Sequence, residues 1–132
     1  MTAKFVFLVA IGALVSSAHV NAHHAFAAVF NGEDPIEISG TITKVEWMNP
    51  HTWFYIAIEN STGEAENWAL EMGSPNGLVR RGWSRRTLQV GDRVRVSGYR
   101  AKDGANMASV KSVVLGDGRE FSGASSKEDS TD

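Results

Sequence analysis

The stretch "IEISGTITKVEW", residues 36–47, decides the fold. It is rich in β-branched residues, which suit a pleated, half-buried surface. Ile36, Ile38, Gly40 and Ile42 alternate onto one face, while Val45 and Trp47 fall on the other. The apolar set therefore changes face between Gly40 and Thr43. Such a change within one strand predicts a bend or bulge at that point. A long first strand bent at a glycine suits the closure of a small barrel.

Working outward, "HTWFYIAIE" (51–59) is the next strand, with Phe54, Ile56 and Ile58 on one face and Trp53 and Tyr55 on the other. "NSTG" (60–63) is a hairpin turn, and "ENWALEM" (66–72) alternates Trp68, Leu70 and Met72. Ser74-Pro75 then reads as an N-cap followed by proline at the first helical position. Asn76 to Arg81 make one or two helical turns, Gly82 stops them, and Ser84 caps a second short turn reaching Leu88. "VGDRVRVSGY" (90–99) and "NMASVKSVVL" (106–115) are two further strands, and "GDG" (116–118) turns into a short edge segment ending at Phe121.

Three strands, a short helix and two strands is the order of a mainly β, OB-like five-stranded barrel with one short helix between strands 3 and 4. An open meander sheet with one helix has the same order. The OB-like domain spans 36–121. An N-terminal segment, 23–35, precedes it, extended from Phe26 to Asp34. The tail 122–132, "SGASSKEDSTD", holds no apolar residue larger than alanine and is expected to be disordered.

Residues 1–22 read as a signal peptide. Lys4 gives a positive start, and Phe5 to Val15 is an apolar run of 11 residues, against about 20 for a spanning helix. Val20-Asn21-Ala22 is a small-x-small cleavage pattern. The alternatives are a cut after Ala18 and a retained membrane anchor. With cleavage near Ala22 the protein is periplasmic or secreted and has no membrane span. The 132 residues include no cysteine, so the core holds the fold without disulfides. A net charge of −2 argues against a general nucleic-acid binder.

Three constellations could carry chemistry. "VNAHHAF" (20–26) places His23 first in the mature chain if the cut follows Ala22. Its amine and imidazole, with His24 and His51, form a nitrogen set that suits Cu(II), so copper is the one candidate cofactor. The same histidines also read as ordinary polar residues of a chain end and a turn. Met48 and Met107 are soft donors for Cu(I), though methionine is more often packing.

The second constellation is aromatic. Trp53 and Tyr55, opposite the inward face, can form a stacking platform on the strands that carry the usual OB ligand surface; Trp47 and Trp68 read as packing. The third is "RRGWSRR" (80–86), where Arg80 and Arg81 flank Trp83 with Arg85 and Arg86. Joined by Arg93, Arg95 and Arg100, it could hold an anion. The plainer and preferred reading is a solvated helix end whose arginines pair with Glu64, Glu66 and Glu71. Catalysis has little support: there is no cysteine nucleophile, and Ser74 and Ser84 read as caps. Glu46 and Glu71 make a carboxylate pair only if the strands align them.

The mature start His23-His24-Ala25-Phe26, the run Gly40 to His51 ending Asn49-Pro50-His51, and the segment Gly73 to Trp83 together resemble a bacterial family of exported domains of unknown function. "GYRAKDG" (98–104) fits it too, and Ala25 stands where many relatives have serine. The resemblance implies a small exported β-domain and no reaction; its shared motifs contain His23, His24 and His51.

The functional expectation is therefore a non-enzymatic periplasmic binding module for a small ligand or an envelope protein partner, without nucleic acid. Its ligand residues would be Trp53, Tyr55, Arg80, Arg81 and Trp83. The alternative is a copper-binding protein using His23, His24 and His51, and a weaker third is an accessory docked to an envelope enzyme through Arg80 to Arg86.

Overall fold

A computed structural model describes residues 24–125 and 127. The expected signal peptide and His23 lie outside the described residues. Six strands and one internal helix follow in order: β1 Phe30–Glu46, β2 Trp53–Glu59, β3 Ala65–Glu71, α1 Pro75–Arg80, β4 Arg93–Ala101, β5 Met107–Leu115 and β6 Glu120–Ser122. The sheet runs β3-β2-β1-β4-β5-β6, and a parallel β3–β5 pairing over Ala69–Glu71 closes it. Closure gives the ring 1-2-3-5-4, with the helix between strands 3 and 4. This is the OB-like barrel expected, and the closing pair excludes the open meander.

The bend sits where the periodicity places it. The β1–β2 register shifts between Ile42 and Lys44, leaving Thr43 as the extra residue. Just before it, β1 passes so close to β2 that a Cβ on Gly40 would stand 2.6 Å from the Ala57 carbonyl oxygen. The bulge resets which side chains face inward. Ile42, Phe54, Ile56, Leu70, Val96, Ala108, Val110 and Val113 fill the barrel interior.

Helix α1 closes one end of the barrel. Ser74 is its N-cap, its hydroxyl accepting from the Gly77 amide, with Pro75 in the first turn. Leu78 is fully buried, and Met72, Trp83 and Leu88 extend the same plug.

Three boundaries differ from expectation. β1 begins at Phe30, not Ile36, and pairs with β4 from Phe30↔Ala101 to Thr41↔Arg93. Residues 24–29 are helical, so of the stretch Phe26 to Asp34, expected extended, only the part from Phe30 is strand. Phe26 and Phe30 pack there against Tyr99, Ala101 and Met107 as a second apolar cluster outside the barrel. The expected disordered tail does not begin at Ser122. Gly123, Ala124 and Ser125 are buried, the Gly73 amide donates to the Gly123 carbonyl, and the Ser125 and Ser109 hydroxyls bond at 2.9 Å. Small residues can bury by backbone approach alone, without a large apolar side chain.

Candidate functional site

Alternation along β2 buries Phe54 and Ile56 and turns Trp53 and Tyr55 outward, half-exposed, as the pattern predicts. Register then decides their neighbours, because residues directly opposite across strands share a face. Glu46 of β1 faces Trp53, and Trp53 faces Glu71 of β3. Lys44, Tyr55 and Ala69 form the next row. The strands therefore do align Glu46 and Glu71, with an indole between them.

The surrounding polar contacts hold this face in place. The Tyr55 hydroxyl donates to Glu46 Oε2 at 2.9 Å, and Lys44 Nζ lies 2.5 Å from Glu46 Oε1. Lys44 also stands 5.4 Å from the centre of the Tyr55 ring. These contacts hold the Glu46 carboxyl below its ordinary range, first through the Lys44 ammonium and then through the Tyr55 hydroxyl. On the other side of Trp53, His51 Nδ1 lies 3.0 Å from Glu71 Oε1. Burial pushes the Glu71 carboxyl up, and the positive charge available on His51 pulls it partly back. The loop joining β1 to β2 adds half-buried Trp47 and exposed Met48, with a cis peptide between Asn49 and Pro50.

The other predicted site residues separate. Trp83 is a correction: it is 3 % exposed, packs at a tilt against Phe121 with ring centres 5.0 Å apart, and donates its indole N–H to the Ser122 carbonyl at 2.7 Å. It is a core residue, with no ring face left for a ligand. Arg80 and Arg81 are exposed at the end of α1, and Arg81 also donates to the Gly77 carbonyl. Arg100 does not join them; it lies 5.1 Å over the Trp68 ring and donates to Gly104 and Asn106. The expected glutamate partners are engaged elsewhere, Glu66 with the Trp68 indole and Glu71 with His51.

For the metal set, His24 is exposed in the N-terminal helical turns and His51 is exposed beside Glu71. Among the described residues no group of three or more His, Cys, Asp and Glu could hold a metal ion. Met107 packs against the Phe26 cluster. Sequence reasoning offered Glu46 and Glu71 only conditionally and did not place Trp53 between them, because the row depends on register across three strands. Its sequence signal was the pair of carboxylates at matching strand ends.

Fold and site define a small OB-type barrel with a half-exposed aromatic on the outer face of its first three strands. The chain belongs to a family of unknown function (DUF6152), whose model matches residues 11–110; this bears out the resemblance to a domain-of-unknown-function family. No curated protein matches it. Among solved structures, one similar chain is the mitochondrial single-stranded DNA-binding protein Rim1 from S. cerevisiae. It is 14% identical, with a TM-score of 0.49, over 62% of this chain and 92% of that one. Among the described residues no helix is long and apolar enough to cross a membrane.

Proposed function

We propose that this chain is an exported, non-enzymatic binding module that takes a small ligand or an envelope protein partner on the outer face of β1, β2 and β3. The observation that carries the proposal is the Glu46–Trp53–Glu71 row, with the indole half-exposed between two carboxylates. An aromatic face favours stacking on a flat or apolar group. The flanking carboxylates, although engaged by Lys44 and His51, favour a neutral, hydroxylated or cationic group over a phosphate. An OB barrel built for nucleic acid lines this surface with cations instead. The leader-like residues 1–22 support export.

The test is a binding screen by NMR with the secreted protein. The ligands are neutral oligosaccharides, basic peptides and a single-stranded oligodeoxynucleotide. Binding of the first or second kind, lost in Trp53→Ala, is the expected result. Oligonucleotide binding on this face, or binding indifferent to Trp53, would overturn the proposal.

One observation favours copper as a second reading. Glu71 engages His51 Nδ1, an arrangement that orients the other ring nitrogen outward as a ligand. The amine and imidazole of a mature His23, with His24, would complete the set. EPR of Cu(II) titrated into secreted protein tests it: a one-to-one nitrogen spectrum, lost in His51→Ala and with one added N-terminal residue, is expected. Weak binding without stoichiometry sinks it.

A further inference from the structure

A groove of about 390 Å³ lies away from Trp53, between the turns preceding β4 and the β5–β6 hairpin. Arg86, Arg93 and Arg119 line it together with Asp92 and Asp117. Its volume falls in the range of small-ligand sites, roughly 300–1,000 Å³.

Both carboxylates in the groove are already engaged locally. Asp92 Oδ2 accepts from the Gln89 amide, and Asp117 accepts from the Arg119 amide and from Arg119 Nε at 2.8 Å. Those bonds hold the Asp117 carboxyl below its ordinary range. The guanidinium groups of Arg86 and Arg93 have no such partner among the described residues. Arg119 keeps its terminal nitrogens beyond the Asp117 contact and lies 5.7 Å over the Phe121 ring. Three cations against two occupied anions make this groove locally positive on a chain of net charge −2.

The backbone on both sides is fixed. On one side the Arg86 amide donates to Ser84 Oγ and the Thr87 amide to the Ser84 carbonyl. The Gly91 amide, φ +95°, ties the next turn to the Ile42 carbonyl. On the other side the Leu115 amide donates to the Arg119 carbonyl, and Gly118 takes a positive φ in the hairpin turn. The arginines thus project from preset positions toward one space. Planar forks with paired donors match the oxygens of a phosphate better than point charges do.

We propose that this groove is an anion site for a phosphate group, either of a small free polyphosphate or of a lipid headgroup. Arg86 and Arg93 supply open donors, and Arg119 supplies a third cation oriented by Asp117. The site is independent of the aromatic face.

The test uses the secreted chain. Inorganic pyrophosphate is titrated by calorimetry, and co-sedimentation is measured on phosphatidylcholine vesicles with and without phosphatidylglycerol. Saturable binding in either arm, weakened about tenfold or more by Arg86→Gln and by Arg93→Gln, is expected. Trp53→Ala leaves it unchanged, so failure of the aromatic-face proposal is distinguishable. Binding of pyrophosphate alone assigns a free ligand; vesicle binding that pyrophosphate displaces assigns a headgroup. Arg95→Gln is the control, since Arg95 lies outside the groove near Glu37. No saturable binding in either arm, or equal loss with Arg95→Gln, overturns the site.

Discussion

His51 Nδ1 and Glu71 Oε1 stand 3.0 Å apart at the edge of the aromatic face, and Glu71 is the more deeply buried of the two. Burial raises the Glu71 carboxyl above its ordinary 4.5, and His51 only partly offsets this. A raised folded pKa means that the native state holds this proton where the unfolded chain has released it. Stability from this group is therefore full below about pH 4.5 and falls as pH rises through the folded value. Glu71→Gln should lack that fall. Its melting temperature at pH 7 should equal or exceed the wild type's, and the difference should vanish near pH 4. A lower melting temperature at pH 7 would mean that the ion pair outweighs burial.

Gly98 carries a second prediction. A Cβ there would stand 2.2 Å from the Ser109 carbonyl oxygen, where the β4–β5 register shifts between Ser97 and Gly98. Backbone cannot move aside as a side chain can. Gly98→Ala should destabilise by about 1–3 kcal/mol in urea unfolding. Gly116→Ala is the control, because its Cβ would meet only the Arg93 carbonyl, at 3.8 Å. It should stay within about 0.5 kcal/mol of wild type.

These glycines mark where sequence periodicity stopped being informative. Alternation put Phe54 and Ile56 on one face of β2 and set Leu70 in step with Trp68 and Met72 on β3, and these faces are in the core. It could not give Phe30 to Pro35 as strand. That stretch is polar and holds a proline, which β1 tolerates because it pairs only with β4 there. The tail was missed for a related reason. Ala124 buries against Gly73, where a Cβ on the glycine would stand 2.7 Å from the alanine's, so missing side chains are what let the segments approach. The site divided the same way. The outward direction of Trp53 and Tyr55 follows from a period of two, whereas the Glu46–Trp53–Glu71 row needs the register of three strands. The arginine groove joins Arg86 to Arg119 across the fold, a pairing that no local spacing encodes.

Trp83 tests the correction to the arginine patch. As a plug under α1 with its N–H on Ser122, it should behave as core. Trp83→Ala should cost about 3–5 kcal/mol by urea unfolding. Trp83→Phe keeps much of the ring packing but loses the bond to the Ser122 carbonyl, and should add amide exchange at Gly123 to Ser125 to a smaller loss of about 1 kcal/mol. A Trp83→Ala variant as stable as wild type would return this residue to the surface.

Trp53 should show the opposite balance. Its ring is half-exposed, so truncation leaves no enclosed cavity and removes less area from the interior than Trp83 does. Trp53→Ala should therefore unfold within about 1–2 kcal/mol of wild type, near the centre of ordinary substitutions. Ligand binding on the β1–β3 face should be lost in the same variant and largely kept in Trp53→Phe, which retains an aromatic face. Glu46→Gln with Glu71→Gln, which leaves the ring but removes both carboxylates, should weaken a cationic ligand and leave a neutral one untouched. Measuring affinity and unfolding on the same four proteins separates the roles. Equal loss of stability and binding in Trp53→Ala would make this indole a structural residue and remove the face as a binding site.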